Sequence, residues 1–165
     1  MRRAVPLLAV LLLAGCTTVI TDPAALPQNE KEEVAGLGPR SPEGGYWPRT
    51  VQLGQSSELG SVVLDGQGFT LYRFDRDEAD PPRSACVDDC AKRWPPVLAG
   101  ESIKFQNLDP AVLGVVDRAD GTRQVTVGGH ALYRFADDAV PGQANGQGAD
   151  DEWFVAGPDG SKAQA

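Results

Sequence analysis

The sequence predicts a mainly β domain: two tandem β-hairpin-based repeats packed as one unit about an approximate twofold, with a short helical turn near a cysteine pair. Three observations predict it. Leu71-Tyr72-Arg73-Phe74 is written again as Leu132-Tyr133-Arg134-Phe135, sixty-one residues later, with Gly68 matched by Gly129 and Asp77 by Asp138. Each copy follows a β-branched run and a glycine-bearing turn, the pattern of a hairpin. Each copy then leads into an acidic loop and a tryptophan, Trp94 or Trp153.

The chain has 165 residues, room for one ordinary domain. Residues 1–15 stand apart from it. Met1-Arg2-Arg3 is basic and Ala4 to Ala14 is apolar, but the run falls short of the ~20 residues a spanning helix needs. It reads as an export signal. Leu13-Ala14-Gly15-Cys16 resembles the lipobox of bacterial lipoproteins, which implies that Cys16 takes a lipid and that more than one acyl chain anchors the mature protein. The expected location is the extracytoplasmic face of the cell membrane. Thr17 leaves sorting to an outer membrane open if the cell has one.

Residues 16–45 carry Pro23, Pro27, Pro39, Pro42 and the charged cluster Glu30-Lys31-Glu32-Glu33, with few large apolar residues. Such a composition cannot offset its ordering entropy, so a flexible tether is expected. Losing Arg2 and Arg3 with the signal moves the net charge from −8 to −10. That charge argues against nucleic acid and leaves two partners: the membrane, through the lipid, and an envelope ligand or protein that the sequence does not name.

The folded part is expected over 46–160, with repeat one at about 51–99 and repeat two at about 112–160. Val51-Gln52-Leu53 suggests a first strand. Ser61 to Asp65, the Gly66-Gln67-Gly68 turn and Phe69 to Phe74 read as a hairpin. Period two puts Thr70, Tyr72 and Phe74 on one face, with Phe69, Leu71 and Arg73 on the other. Asp88 to Arg93 has helical character, stopped by Trp94-Pro95-Pro96. Ser102 to Val112 is ambiguous, with Asn107 or Asp109 able to cap a turn. Leu113 to Arg118 and Arg123 to Val127 repeat the strand pair before His130 to Phe135. Residues 161–165 are expected to fray.

With Cys16 lipidated, Cys86 and Cys90 remain in an oxidising compartment, where a disulfide is the simplest outcome. Soft-metal (copper) binding with His130, or redox exchange, is the alternative use of the pair. The acidic loops around Asp77 and Asp138 raise a calcium-dependent alternative, although no EF-hand pattern occurs. No cofactor or resident metal is expected. With one histidine and no His-Glu-x-x-His, Gly-x-Ser-x-Gly or Cys-x-x-Cys-His sequence, hydrolase, zinc-protease and c-type haem readings have no foothold.

Tyr72-x-Phe74-x-x-Asp77 and Tyr133-x-Phe135-x-x-Asp138, backed by Cys86-x-x-x-Cys90-x-x-x-Trp94-Pro95-Pro96 and Trp153, resemble the bacterial lipoproteins with a repeated Tyr-x-(Phe/Trp/Tyr)-x-x-Asp motif, the secreted repeats of unknown function. The resemblance covers about Val51 to Gly160. It implies an exported, usually lipid-attached pair of repeats and no assigned reaction. A buried tyrosine hydroxyl needs a partner. The aspartate on the loop after each strand is expected to supply it, or to accept backbone N–H groups and fix the turn. A pair of symmetry-related ligand sites is the alternative. Trp94 and Trp153 are each expected to close the core of their own repeat. The leading function is a non-enzymatic binding or interaction module.

Overall fold

The structure is a computed structural model that describes residues 45–101 and 103–164. The expected signal, Cys16 and the tether up to Gly44 lie outside the described residues.

β1 (Thr50–Ser56) and β2 (Gly60–Asp65) form an antiparallel hairpin. The Ser56 hydroxyl accepts from the Leu59 N–H across its turn. Asp65 then makes an Asx-type turn, its Oδ1 accepting the Gln67 and Phe69 N–H groups at 2.9 Å. Gly68, at φ +86°, supplies the left-handed residue that this turn requires. β2 holds the following segment through the Leu64–Thr70 bridge. β3 (Tyr72–Phe74) then leaves for a partner outside its own hairpin.

Two short strands, β4 (Glu78–Ala79) and β5 (Pro82–Arg83), form the loop ahead of α1 (Asp89–Arg93). The helix ends at Trp94, where the prolines begin. β6 (Lys104–Gln106) settles the ambiguous stretch by adding parallel to β1. Asp109 caps a 3-10 turn at Pro110–Val112 by accepting from the Ala111 N–H. β7 (Leu113–Asp117), β8 (Arg123–Val127) and β9 (His130–Ala131) then rebuild the first arrangement, and β10 (Trp153–Val155) closes the chain.

The two repeats interlock, each receiving the other's last segment. In repeat one, Val63 N–H donates to Ala156 O at 2.9 Å and Ala156 N–H to Leu71 O at 2.9 Å. In repeat two, Val125 N–H donates to Val97 O at 2.8 Å and Val97 N–H to Leu132 O at 2.9 Å. β10 accordingly pairs with β3, while the Pro96 segment lies against Tyr133. A single repeat would leave one row of strand donors and acceptors open; its twin satisfies them.

Period-two alternation sorts the side chains into two cores. Tyr72, Phe74, Tyr133 and Phe135 enter one with Trp94, Trp153 and Val155. Leu71 and Leu132 enter the other with Tyr46, Val51, Val63, Val97, Val125 and Val127. The expected fraying after Gly160 does not hold for residues 161–164. Ala163 is buried and donates its N–H to Val155 O at 2.9 Å. Lys162 meets Asp75 at 2.6 Å and lies over the Phe154 ring. A small apolar residue in register with an open strand edge is enough to tie down so short a tail.

Candidate functional site

The site is built where the two copies of the motif meet. Tyr72 and Tyr133 face each other as a closed antiparallel pair: Tyr72 N–H donates to Tyr133 O at 2.8 Å, and Tyr133 N–H to Tyr72 O at 2.9 Å. Their rings then cross over. Tyr72 donates its hydroxyl to Asp138 Oδ2 at 2.7 Å. Tyr133 donates to Asp77 Oδ2 at 2.8 Å. Each tyrosine therefore takes its carboxylate from the other repeat, not from its own following loop. The second oxygen of each aspartate does the loop-fixing that was the other expectation: Asp77 Oδ1 accepts from Ala85 N–H at 2.7 Å and Asp138 Oδ1 from Asn145 N–H at 3.0 Å. One carboxylate fills both roles.

The electrostatics follow from burial. Removal from water, then the adjacent carboxylate, holds both phenols protonated far above the ordinary tyrosine range. Desolvation also pushes Asp77 up to about 6, against the pull of the Ala85 N–H, the Tyr133 hydroxyl and the Arg118 and Arg73 charges. Asp138 is raised for the same first reason, opposed by the Tyr72 hydroxyl, Asn145 and Arg134.

The two environments differ at the rim. Tyr133 Oη also shares a 2.7 Å hydrogen bond with Ser84 Oγ, which accepts from Arg118 Nη1 at 2.8 Å. Arg118 further donates to Gln124 Oε1 and Cys86 O, so this buried cation is well satisfied. In the other copy it is the Gly146 N–H that approaches Tyr72 Oη, at 3.3 Å, and Arg134 acts there through its charge.

Beside the crossed pairs runs a continuous aromatic stack. Phe74 lies on Trp153 at 4.0 Å, Trp153 on Trp94 at 3.8 Å with parallel planes, and Trp94 on Phe135 at 4.3 Å. Tyr72 meets Trp94 edge-on at 5.3 Å and Tyr133 meets Trp153 at 5.1 Å, geometries that the ring quadrupoles favour. Arg76 lies over Phe74 and Arg93 over Phe135, closing the two ends. The tryptophans thus share one core instead of closing one repeat each. Both repeats contribute to this core, Tyr72, Phe74 and Trp94 from the first and Tyr133, Phe135 and Trp153 from the second.

Two arginines were not singled out from the sequence, Arg118 and Arg134. Arg134 is fully buried, paired with Asp65 at 2.8 Å and lying 3.7 Å over the Phe69 ring. The available signal was alternation, which puts Arg134 on the inward face of Leu132.

Cys86 and Cys90 form a disulfide with Cα atoms 5.3 Å apart, at the start of α1. His130 is partly buried, and desolvation, then the Arg73 charge, lowers its pKa. Among the described residues no group of three or more His, Cys, Asp or Glu side chains is placed to hold a metal ion. Several of the loop carboxylates have protein partners: Asp75 meets Arg73 and Lys162, Glu152 meets Arg76, and Asp150 meets Arg93. Beside Ser84 a cleft of about 450 Å³ is lined by Arg76, Glu78, Arg83, Val87 and Asp117. A smaller one of about 200 Å³, lined by Ser56, Leu59, Leu64, Thr70 and Ala144, lies beside the corresponding loop of repeat two.

A family model described as a secreted repeat of unknown function matches residues 55–98 and 114–157, so each match takes in one tyrosine motif and stops just past its tryptophan. No curated protein and no solved structure matches the chain.

Proposed function

Because the chain belongs to the family of secreted repeats of unknown function, we propose that it is a lipid-anchored binding module displayed on the extracytoplasmic face of the cell membrane. The observation that supports this reading is the internal pairing of Tyr72 with Asp138 and of Tyr133 with Asp77. The polar groups that define the repeat are consumed in holding it together, so the motif is a scaffold and recognition falls to the rim. The cleft beside Ser84 suits that role. It sets the exposed Val87 among charges of both signs, the mixture by which small sites combine contact area with orientation. Cys16 is the lipid acceptor, and the tether expected over 16–45 ends before Gly45, which is already buried against the domain.

Two measurements test this reading. Labelled palmitate should enter the wild-type protein in the membrane fraction, while Cys16→Ala should be unlabelled and released from the membrane. Recovery of unacylated wild-type protein in the cytosol contradicts the anchor. In a screen of envelope components, Arg83→Gln should change binding with little effect on the melting temperature, because Arg83 is exposed and its ion pair with Glu78 is a long surface contact of 3.7 Å. Binding that follows Tyr72→Phe but ignores the cleft contradicts the assignment of the surface.

A further inference from the structure

We propose that the aromatic core is also a redox relay, in which the stacked indoles of Trp94 and Trp153 pass a one-electron oxidation to Tyr72 and Tyr133, and each tyrosine hands its phenolic proton to the aspartate bonded to it.

The argument begins with which groups can be oxidised. Indole and phenol are the readily oxidised aromatic side chains, and this interior places two of each in contact. The indoles lie 3.8 Å apart with parallel planes, so their π-systems overlap directly. Each has one tyrosine on its edge, Tyr72 on Trp94 and Tyr133 on Trp153. The phenyl rings of Phe74 and Phe135 extend the stack to both sides, where the largely exposed Arg76 and Arg93 cover them. An oxidant at either surface is thus separated from the indole pair by one phenyl ring and one guanidinium.

Proton balance decides whether a buried phenol can take part. Loss of an electron alone would leave a phenol cation in the low-dielectric interior, which is costly. A base at hydrogen-bond distance removes that cost by accepting the proton as the electron leaves. Tyr72 and Tyr133 both have one: Asp138 Oδ2 at 2.7 Å and Asp77 Oδ2 at 2.8 Å. The step is Tyr–OH plus Asp–COO⁻ going to Tyr–O• plus Asp–COOH, with the electron passing through the indoles to an external one-electron oxidant. An external one-electron reductant reverses it, and the proton returns over the same hydrogen bond. Desolvation already raises both carboxyls, which favours their holding that proton. Tyr46, the remaining tyrosine, has no carboxylate hydrogen-bonded to it among the described residues; its buried hydroxyl lies beside the Arg134 guanidinium, a donor that cannot take the proton.

The test is flash oxidation of the full-length, disulfide-intact protein by photogenerated tris(bipyridine)ruthenium(III), followed by transient absorption and freeze-quench electron paramagnetic resonance. A neutral tyrosyl radical is expected, unchanged in Tyr46→Phe and reduced to the remaining site's share in Tyr72→Phe or Tyr133→Phe. Asp77→Asn and Asp138→Asn keep the phenols but remove the acceptors; each should lose the radical of its own partner, and radical formation in wild type should slow in D₂O. Near-ultraviolet circular dichroism identifies the variants that keep the native core, and the slowing in D₂O in wild type keeps the test open if one of them does not fold. A radical on Tyr46, one confined to tryptophan, or tyrosyl radicals that survive loss of their aspartates would overturn the proposal.

Discussion

Tyr72 and Asp138 lie sixty-six residues apart in the chain and in different repeats, yet the phenol hydroxyl donates to the carboxylate at 2.7 Å inside the shared core. The reciprocal bond from Tyr133 to Asp77 makes the arrangement a closed cross-link between the copies. Tyr72→Phe should therefore destabilise the whole domain cooperatively, by about 1–3 kcal/mol, because it leaves a buried carboxylate oxygen without its donor. Chemical denaturation followed by tryptophan fluorescence measures it.

Asp77 gives the cross-link a pH signature. Its carboxyl is raised from 3.8 to about 6, so the folded state binds the proton more tightly than the unfolded chain does. The associated stability is fully present below pH 3.8 and is lost as pH rises through about 6. Relative to Asp77→Asn, wild type should lose about 2–3 kcal/mol across that window. Asp138 acts in the same direction. Asp120 and Asp159, held low through their hydrogen bonds to Thr122 and Ser161, act in the opposite one. The difference between the variant and wild-type curves isolates Asp77.

Reducing the Cys86–Cys90 disulfide opens a very short loop. The chain-entropy relation gives a loss of about 2 kcal/mol. Thermal melts with and without a thiol reductant should show a lower midpoint for the reduced protein and one transition in both.

Gly146 packs against the rings. A Cβ there would meet Trp94 Cη2 at 2.6 Å and Tyr72 Cε1 at 2.9 Å. Neither rigid ring can move without disturbing the stack, so Gly146→Ala should cost about 1–3 kcal/mol by overpacking. The near-ultraviolet spectrum should change with it.

Arg134→Met leaves Asp65 buried without its cation and should cost about 3–5 kcal/mol. Pairing it with Asp65→Asn should recover part of that loss, since the uncompensated charge is then gone. Equilibrium denaturation of the single and double variants checks both statements.

The strand pairs around Ser61 to Asp65 and Leu113 to Val127, the doubled motif and the disulfide were legible because alternation, glycine placement and cysteine count act over a few residues. The short strands Glu78–Ala79, Pro82–Arg83 and Trp153–Val155 were not, and the tyrosine segments are strand only over Tyr72–Phe74 and His130–Ala131. The crossing was not legible either. Asp77 and Asp138 are the same residue type at the same offset, so pairing within a copy and pairing between copies satisfy the same pattern. Only the backbone pairing of Tyr72 with Tyr133 distinguishes them. The arginines make the point from the other side. Arg73 and Arg134 occupy equivalent places, yet Arg134 is fully buried while Arg73 stays near the surface with Asp75 and Gly160 O. The strand position that holds Asp65 in the first repeat holds Val127 in the second. Because the repeats exchange partners, Arg134 finds the carboxylate, while Arg73 donates to Gly160 O and Asp75. The order of the tail at 161–164 is not legible for a related reason: its anchor is an open backbone edge at Val155, which composition does not record.

The most direct test of the crossed arrangement is a set of double-mutant cycles in equilibrium unfolding, using Tyr→Phe with Asp→Ala. Tyr72 with Asp138, and Tyr133 with Asp77, should each show a coupling energy of about 1–3 kcal/mol, while Tyr72 with Asp77 and Tyr133 with Asp138 should be additive. Coupling within each repeat and additivity between repeats would contradict the interlocked fold.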